Sequence, residues 1–399
     1  MTVPDDSSNL DALAAAVTQR QTSVLQAAFD QVRPQLEQLV NGRALLLTGG
    51  AGFIATQTLK ALLPFEPRVV VVADTSENML AELVRDLRSS GLVSDRTRIE
   101  PRLTDITSPM VDRLVGDVGA IDVAMEFAAA KHVRSERDPV SLLRMIEVNL
   151  TGTFNMTRAL LEHNPDASVF IVSTDKAADP SSLMGASKRL MEMAVMGTYP
   201  QATSARFANV AFSSGSLLES WVIRLRQGQP LAVPADTWRY FVSPQEAGQL
   251  CAIAAIAPAG TITVPDEEAA GLVELETALS RVLALRGLLP ITVRAEQATA
   301  TVHQQGTYPV VVTSRDTAGE KREEIFVALA EHREPWLPRI GLVRAEFDSV
   351  RALELGDWVQ SRIRDASIPT TINDVSEAVG KAVPEFHHIA SALRLDDRI

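Results

Sequence analysis

The sequence is poor in cysteine, in long apolar runs and in positive charge, and each shortage excludes a class of protein. Cys251 is the single cysteine of the 399 residues, which excludes a disulfide framework and a cysteine-rich metal site. No apolar stretch reaches the roughly 18 to 20 residues that span a bilayer, and the N-terminus is acidic and polar, unlike a signal peptide. The net charge of −12 argues against nucleic acid as a partner. We therefore expect a reduced, cytoplasmic protein with no membrane partner.

The chain does have a globular composition and a regular alternation of predicted strands and helices. Hydrophobic residues make up 46% of it and charged residues 22%, which is typical of soluble domains with a large core. Strands separated by helices of this length form a doubly wound parallel sheet, so the predicted fold class is α/β with a Rossmann sheet. Short apolar runs predict its strands at 44–48, 69–73, 98–102, 123–127, 169–173 and 204–208.

Other parts of the chain have a different pattern. Residues 9–40 show helical periodicity and predict one or two amphipathic helices, which either pack on the chain's own domain or form a partner-binding arm. Beyond residue 215, short strands such as 230–233 and 309–313 predict a smaller mixed lobe. The predicted parts are an N-terminal helical extension (1–42), a Rossmann domain (43–215), a substrate-binding lobe interleaved with it (216–336) and a C-terminal segment of helices (337–399).

A glycine-rich turn follows the first predicted strand. Residues 48–55 read Thr-Gly-Gly-Ala-Gly-Phe-Ile-Ala. A dinucleotide pyrophosphate must approach the amide N–H groups at a helix N-terminus, and a Cβ there would block it. A glycine-rich turn alone is weak evidence, but this one follows a strand and opens a helix, as dinucleotide binding requires. We therefore predict that a dinucleotide is bound by Gly49, Gly52, Phe53 and Ile54.

Acidic residues end the second and third predicted strands. Asp74 lies ~20 residues beyond the glycines, where a carboxylate accepts hydrogen bonds from the adenosine ribose. A carboxylate repels a 2′-phosphate, and Thr75 brings no compensating charge, so NAD is predicted rather than NADP. Asp105 and Ile106 follow the third strand and are placed at the adenine edge, although aspartate also ends strands without any such role.

Two further motifs bear on the chemistry. Residues 172–176 read Val-Ser-Thr-Asp-Lys, and residues 184–188 read Met-Gly-Ala-Ser-Lys. A short-chain dehydrogenase/reductase keeps its catalytic Ser/Thr and its Tyr-x-x-x-Lys at these places, so Met184 stands where tyrosine is usual. Methionine cannot take or give a proton. The usual acid/base group must therefore be replaced or absent.

Taken in order, the motifs make the chain resemble the extended short-chain dehydrogenase/reductases. Within these it is most similar to the soluble domain of nucleotide-sugar 4,6-dehydratases of bacterial polysaccharide biosynthesis, typified by UDP-N-acetylglucosamine 4,6-dehydratase. That family includes a branch with methionine in place of tyrosine. The matching segments are 128–133, 149–153, 173–177, 184–189, 205–210, 239–241, 319–321 and 383–386.

The resemblance implies a three-stage reaction with recycled NAD. Hydride leaves the sugar C4 for the nicotinamide, water is lost across C5 and C6, and hydride returns to C6. Thr174 would hydrogen-bond the C4 oxygen, and Asp175 would move protons. Lys176 would remove the C5 proton, with a pKa lowered by burial or by a neighbouring cation such as Lys131. Lys188 would bind the nicotinamide ribose.

The same resemblance places further residues at the two ligands. Asn149 is expected to be a structural hydrogen-bonding residue near the site, and His132 has an equal alternative as an ordinary loop histidine. No metal site is predicted, because the adjacent His387 and His388 do not share a helix face. The remaining predicted cofactor contacts are Ala128, Ala129 and Lys131, and the predicted substrate contacts are His132, Asn209, Arg239, Arg315 and Lys321.

The chain departs from the family where a diphosphate would bind. Ser214 stands in place of a family arginine, and Thr317-Ala318 replace the Arg-Pro before Gly319. A bidentate guanidinium is hard to replace on a phosphate. Arg239 and Arg315 are the candidates to compensate. If they do not, the substrate carries less phosphate or none.

Three functional hypotheses follow. The first is a 4,6-dehydratase of a UDP-hexose such as UDP-N-acetylglucosamine. The second is an epimerase or dehydrogenase of the same family, acting on a modified sugar or a natural-product precursor. The third is a cofactor-binding protein without chemistry, in which NAD is structural and Met184 marks lost catalysis. The alternative interpretation of Asp175 and Lys176 is a surface ion pair in a loop. The family assembles through helices beside the sheet, so a homodimer or larger homo-oligomer is expected.

Overall fold

Strands and helices alternate along the residues described by the computed structural model, which are 10–131, 136–294, 296, 306–314, 319 and 321–389. The strands are β1 (Ala44–Thr48), β2 (Val69–Asp74), β3 (Arg98–Leu103), β4 (Val123–Glu126), β5 (Ser168–Thr174), β6 (Thr203–Phe207), β7 (Asn209–Val210), β8 (Leu231–Pro234), β9 (Trp238–Val242), β10 (Ile262–Pro265), β11 (Leu272–Glu274), β12 (Leu289–Thr292), β13 (Thr307–Thr313), β14 (His332–Leu337) and β15 (Ile340–Arg344). The helices are α1 (Leu10–Thr18), α2 (Gln26–Gln31), α3 (Arg33–Val40), α4 (Phe53–Leu62), α5 (Glu77–Ser89), α6 (Met110–Val118), α7 (Pro139–Ile146), α8 (Thr153–His163), α9 (Leu183–Thr198), α10 (Leu217–Gln227), α11 (Pro244–Ala255), α12 (Glu267–Ala270), α13 (Leu275–Ala284), α14 (Ser349–Arg364) and α15 (Ile372–Ala382).

Nine of these strands form one sheet, in the order β14-β15-β10-β6-β5-β4-β1-β2-β3. Neighbours pair in parallel from β3 to β10, while β15 and β14 pair antiparallel at the other edge. The strand order reverses between β1 and β4. Ligands of such sheets bind outside the carboxyl ends of the strands at this reversal. The predicted α/β class and its strands along 44–208 are confirmed.

The strand sequences explain which strands are central. The whole of β1 is buried, as are the first five residues of β2, and both strands consist mainly of leucine and valine. Central parallel strands are covered on both faces and therefore need continuous apolar runs. The edge strand β3 instead reads Arg-Ile-Glu-Pro-Arg-Leu and is mostly exposed or half-buried. Charge and proline on an edge strand discourage pairing with another chain.

The N-terminal segment folds as three short helices and packs on its own chain. Leu13 and Val17 of α1 lie in the core of the smaller lobe, whereas Phe29 and Leu36 of α2 and α3 lie in the core of the large sheet. Arg20, between them, donates to the carbonyl oxygens of Ala269 and Phe241 and pairs with Glu246 at 2.6 Å. Of the two interpretations of this segment, the contacts favour packing on the chain's own domain.

The C-terminal segment corrects one prediction. Residues 337–399 were expected to be helical, but β14 ends inside this range and β15 follows it. The two strands form an antiparallel hairpin on the edge of β10. The sequence of β14, His-Arg-Glu-Pro-Trp-Leu, lacks an apolar alternation, so tertiary pairing decides its conformation. The helices begin only at α14, and α14 and α15 pack with α7 and α9 in a separate core.

The smaller lobe contains two three-stranded sheets, β11-β9-β7 and β12-β13-β8. Its core is built around Trp221 of α10, together with Leu279 of α13 and Val310 of β13. The fading of strand regularity after residue 215 corresponds to this lobe. However, β10, β14 and β15 return to the large sheet, so the chain crosses between the lobe and the sheet more than once. The domain boundaries remain a prediction.

A buried ion cluster joins the large sheet to the C-terminal part of the chain. The Arg206 guanidinium on β6 is fully buried and pairs with Glu192 of α9 at 2.7 Å and with Glu331 at 2.5 Å. Ser173, near the end of β5, donates a hydrogen bond to Glu192 at 2.6 Å. Arg189 pairs with the same two glutamates. The position of the β5 terminus is therefore tied to α9 and to the loop before β14.

Candidate functional site

A cavity of about 710 Å³ opens at the carboxyl ends of the parallel strands. Its walls include the glycine-rich turn, the ends of β2 and β4, the residues after β3, the end of β5, the start of α9 and, from the smaller lobe, Arg239, Phe241 and Leu275. The cavity therefore lies at the topological reversal of the sheet, where a doubly wound fold binds its ligand.

The glycine-rich turn has the geometry that a pyrophosphate needs. Gly49 has φ +57°, and a Cβ built there would lie 2.6 Å from the Ala128 backbone. Gly52 is the residue before α4, and a Cβ on it would lie 3.0 Å from the Gly49 oxygen. The turn thus packs tightly on the segment after β4 and presents the N-terminus of α4 to the cavity, where backbone N–H groups and the helix dipole favour an anion. Phe53, Ile54 and Ala128 also line the cavity.

Asp74 is fixed at the end of β2 beside this turn. One carboxylate oxygen accepts a hydrogen bond from the Ser76 N–H at 2.9 Å, and the other accepts one from the Ala51 N–H at 3.2 Å. The carboxylate is half-buried and lines the cavity. A negative group held here suits a ribose with free hydroxyls, because it accepts their hydrogen bonds.

Asp105 has a partner that the sequence did not indicate. Arg144 of α7 donates to one Asp105 oxygen at 2.5 Å, while the other oxygen accepts from Thr107. Burial acts to raise the pKa of Asp105, but the bonds from Thr107 and Arg144 outweigh it and hold that pKa below its usual range. Arg144 and Ile106 also line the cavity. The two charged residues are 39 positions apart, so no local pattern links them.

Thr174, Asp175 and Lys176 form one hydrogen-bonded unit where β5 ends. The turn after β5 is a short 3-10 helix, Asp175–Ala177. Asp175 Oδ1 accepts from the Thr174 hydroxyl at 2.9 Å, from the Lys176 N–H at 2.8 Å and from Lys176 Nζ at 3.1 Å. Thr174 and Lys176 line the cavity, while Asp175 lies behind them and is 2% exposed. Protons from a ligand would therefore reach Asp175 through its neighbours.

The proton affinity of Lys176 differs from the prediction. Burial acts to lower its pKa, but attraction to Asp175 and Glu324 outweighs burial and raises the pKa above its usual value. The predicted helper Lys131 is not the group that acts on it; Arg239 is the cation that opposes the charge on Lys176. The expected depression of the Lys176 pKa is wrong, because two carboxylates surround the ammonium.

Lys188 and Met184 lie on the first turns of α9. Lys188 Nζ donates to the Val172 carbonyl at 3.1 Å, and burial lowers the pKa of Lys188 to about 8, against the attraction of Glu192. Met184 is buried at the cavity wall, and its N–H donates to Glu136 at 2.9 Å. The structure therefore brings both residues of the Met-x-x-x-Lys motif to the same cavity as Thr174.

Asn149 supports the wall from behind. It is fully buried in a π-helical turn, Glu147–Gly152, between α7 and α8. Its side chain exchanges two hydrogen bonds of 2.9 Å with the Ala130 backbone and donates to the Ser187 hydroxyl at 2.8 Å. Asn149 thus holds the segment after β4 against α9, as its predicted structural role requires.

The predicted substrate residues are only partly brought together. Asn209 and Arg239 line the cavity; Arg239 donates to the carbonyl oxygens of Trp238 and Lys321 at 2.7 and 3.0 Å. Lys321 pairs with Asp179 at 2.5 Å and does not line the cavity. The predictions for His132 and Arg315 lie outside the described residues.

Lys131 lines the cavity and bonds to a loop of the smaller lobe. Its ammonium donates to the carbonyl oxygen of Ser214 at 2.7 Å, which links the segment after β4 to the loop before α10. In that loop the Gly215 N–H donates to Glu219 at 2.5 Å. Where the family has an arginine, Ser214 therefore accepts a hydrogen bond from Lys131 through its backbone carbonyl, and the carboxylate of Glu219 lies next to it.

A model of the family described as polysaccharide biosynthesis protein matches residues 45–327. The chain belongs to this family. The resemblance drawn from the sequence is thereby confirmed at the level of the family. The match begins in β1 and ends just beyond Glu324, so it includes the parallel strands of the large sheet, the residues that line the cavity and most of the smaller lobe, but not β14 and β15.

Curated relatives are similar over about half of this family member. An uncharacterized membrane protein of Methanocaldococcus jannaschii is 32% identical over 217 residues, covering 52% of this chain and 61% of the relative. The capsular polysaccharide biosynthesis protein CapD of Staphylococcus aureus is 28% identical over 243 residues, covering 57% of this chain and 38% of the relative. The chain thus spans less than two thirds of the length of these relatives. Among the described residues, no helix is both long and apolar enough to cross a bilayer.

Solved structures share the fold at low identity. Pen from Bacillus thuringiensis is 22% identical with a TM-score of 0.61, covering 76% of this chain and 87% of the other. UDP-glucuronic acid 4-epimerase from Bacillus cereus is 16% identical with a TM-score of 0.54, covering 86% and 99%. dTDP-glucose 4,6-dehydratase from Bacillus anthracis is 16% identical with a TM-score of 0.52, covering 72% and 88%. At these identities the likeness concerns the fold alone.

Proposed function

We propose that this polysaccharide biosynthesis family member is an NAD-dependent nucleotide-sugar 4,6-dehydratase, with a UDP-hexose such as UDP-N-acetylglucosamine as its substrate. The observation that carries the proposal is the convergence of Thr174, Lys176 and Lys188 on the cavity that contains the glycine-rich turn. Groups for proton transfer and a site for a dinucleotide thus share one space. Met184 occupies the place where a tyrosine would otherwise do this work.

The residues present fit a dinucleotide. Gly49 and Gly52 leave backbone N–H groups open to a pyrophosphate, Asp74 suits the adenosine ribose, and Asp105 with Ile106 lies where the adenine would extend. Lys188 would donate to the nicotinamide ribose. The bound cofactor would supply a hydride acceptor for C4 and a hydride donor for C6. The carboxylate of Asp74 favours NAD over NADP, because a 2′-phosphate would meet its negative charge.

The chain's own groups would handle the protons. The Thr174 hydroxyl would hydrogen-bond the C4 oxygen and relay the proton of the C4 hydroxyl to Asp175, which accepts its hydrogen bond at 2.9 Å. Through the same hydroxyl, Asp175 would give that proton to the C6 oxygen, which leaves as water. Lys176 would act at C5, where a 4-ketone makes the proton acidic. Because its ammonium is stabilised by Asp175, Lys176 must lose a proton before it can accept one. The C5 step should therefore become faster as the pH rises.

The direct experiment is incubation of the protein with NAD and a panel of nucleotide sugars in heavy water. A 4-keto-6-deoxy product with deuterium at C5, and no net NADH, is expected. Lys176→Met should lower turnover by a factor on the order of 10² to 10⁴, the usual contribution of a general acid/base. Lys60→Met, which alters a surface lysine paired with Asp86, is the matched control. Absence of turnover on every sugar would refute the proposal.

A second candidate is an epimerase or dehydrogenase on the same scaffold. The observation that favours it is the substrate end of the cavity, where Arg239 is held by backbone carbonyls and Lys131 by Ser214. To bind here, a diphosphate would have to displace the hydrogen bonds that Arg239 and Lys131 make to backbone carbonyls. A ligand without a diphosphate would leave these hydrogen bonds intact. Inversion of a sugar carbon without loss of water, or stoichiometric NADH, would identify this activity in the same assay.

A further inference from the structure

A loop of the smaller lobe places Glu324 next to the short 3-10 turn Asp175–Ala177 that follows β5. Lys321 Nζ pairs with Asp179 at 2.5 Å, and Arg239 donates to the backbone carbonyls of Lys321 and Arg322 at 3.0 and 3.2 Å. These contacts fix the loop immediately before Glu324. The Glu324 side chain is consequently 3% exposed, although the flanking residues on both sides are exposed.

Two buried carboxylates therefore flank one ammonium. Lys176 Nζ lies 3.1 Å from Asp175 Oδ1 and 3.8 Å from Glu324 Oε1. The second Glu324 oxygen lies 3.9 Å from Lys321 Nζ. Arg239 carries the same positive charge as Lys176, so its repulsion acts to lower the Lys176 pKa. Water is largely excluded around Asp175 and Glu324, so these charges are less screened than at a surface.

Asp175 alone does not fix the position of the Lys176 ammonium. Its Oδ1 atom is shared between the Thr174 hydroxyl, the Lys176 N–H and the Lys176 ammonium. Its Oδ2 atom is buried and has no hydrogen-bond partner among the residues that the structure describes. A single shared oxygen orients the ammonium weakly. A second carboxylate on the other side restricts where the ammonium can lie, and Glu324 is placed to provide it.

We propose that Glu324 is a positioning residue for Lys176: it fixes the ammonium at the cavity wall and, with Asp175, sets the pH at which Lys176 loses its proton. The catalytic meaning of this role rests on the proposed function, which assigns proton transfer to Lys176. The electrostatic link itself requires no substrate. It can therefore be tested separately from turnover.

The test is competitive acetylation of the full-length protein with acetic anhydride over a range of pH, with Lys176 modification measured by mass spectrometry. Only the neutral amine reacts. Glu324→Gln removes one negative charge, so Lys176 should lose its proton at lower pH and react about tenfold faster near neutral pH, equivalent to a shift of roughly one unit. Glu324→Asp should give an intermediate profile. Glu323→Gln alters the exposed neighbour bonded to Tyr240 and should leave the profile unchanged.

An unchanged Lys176 profile in folded Glu324→Gln would overturn the proposal, and so would an equal shift in Glu323→Gln. If Glu324→Gln does not fold, Glu324→Asp decides, because withdrawing the carboxylate must still move the profile. If acetylation shifts as expected but no nucleotide sugar is turned over, the proposed function fails while the link between Glu324 and Lys176 stands.

Discussion

At the scale of the residue, burial changes the chemistry of side chains that look ordinary in the sequence. Burial lowers the pKa of Lys188 to about 8 and raises that of Glu126 to about 7. Lys188 faces the cavity, whereas Glu126 lies at the end of β4 inside the sheet. We therefore expect the titration of Lys188 to affect cofactor binding and the titration of Glu126 to affect the stability of the fold. The two effects can be distinguished because they occur at different pH.

Cofactor affinity should decrease as the pH rises through about 8. Lys188 loses its proton above its pKa, so its charge would no longer attract the dinucleotide that the proposed function places beside it. Above that pH the dissociation constant should rise by up to about tenfold per unit, the limit for one titrating group. Calorimetric titration with NAD measures it. Lys188→Met should bind more weakly below pH about 8, approach the affinity of the unchanged protein above it and lose this dependence; a retained dependence would contradict the assignment.

Glu126→Gln should stabilise the protein at alkaline pH. Glu126 is fully buried; the Thr48 hydroxyl donates to one of its oxygens at 2.5 Å, and the other oxygen has no hydrogen-bond partner within the described parts of the chain. Its pKa of about 7 in the fold exceeds the ordinary value of 4.5, so stability falls as pH rises from about 4.5 through 7. The full loss is on the order of 3 kcal/mol. Thermal unfolding at acidic and alkaline pH measures it; the variant should gain only at alkaline pH.

At the scale of the element, the backbone geometry of the turn between β1 and α4 carries the proposed dinucleotide site. Gly49 combines a positive φ with contact to Ala128, and either feature disfavours a side chain. Gly91 has φ +69° but open space around its Cβ position. A comparison of substitutions at Gly49 and Gly91 therefore distinguishes the cost of a positive φ from the cost of a steric clash.

Gly49→Ala should abolish cofactor binding and destabilise the fold more than Gly91→Ala. Both substitutions place alanine at a positive φ, at a cost of about 1 kcal/mol. Only the Cβ at Gly49 also meets backbone, 2.6 Å from Ala128. Thermal melts with and without NAD report both properties. Equal melting temperatures and equal NAD-induced shifts for the two variants would refute the role given to this turn.

The strands up to β6 could be predicted from sequence because their apolar runs report their own burial, whereas β14 and β15 could not, because they form by pairing with β10. The same distinction applies to the site. The glycines and Asp74 follow strands at fixed spacing. Arg144 and Glu324 reach their partners from distant parts of the chain, so sequence spacing carries no signal for them. For the same reason the pKa of Lys176 was predicted in the wrong direction.

At the scale of the whole molecule, the cluster around Arg206 connects the sheet to the C-terminal part. The guanidinium is fully buried between Glu192 and Glu331, and Glu192 also receives the Ser173 hydrogen bond. Buried ion pairs give little net stability when intact, but removal of one partner leaves unpaired charge. Removal of one charge from the cluster therefore lowers the stability of the protein. The intact cluster fixes the relative positions of β6, α9 and the loop before β14.

Arg206→Met should destabilise the protein by about 3 to 5 kcal/mol, because it removes the fully buried cation between two buried carboxylates and leaves Arg189 as their remaining cationic partner. Arg96→Met, which breaks a surface pair with Glu66, should cost well under about 1 kcal/mol. Chemical denaturation measures both. Similar midpoints for the two variants would show that the cluster is not the connection described.

The helices that cover α9 limit which face of the molecule could form the expected homo-oligomer. Helix α9 lies beside the parallel sheet, and α14 and α15 of the same chain pack on it in one core with Leu190 and Val359. A symmetric assembly through α9 would have to displace these helices. The prediction of a homodimer or larger assembly therefore requires another face of the molecule.

The bonds of Arg20 have a consequence for how the cavity changes shape. This residue follows α1, which is embedded in the smaller lobe, and precedes α2, which is embedded in the sheet; its guanidinium holds the carbonyl of Phe241, a residue of the cavity wall. A hinge between lobe and sheet would have to stretch this tether. The width of the cavity is thus set in part by Arg20 and the helices on either side of it, which do not themselves line the cavity.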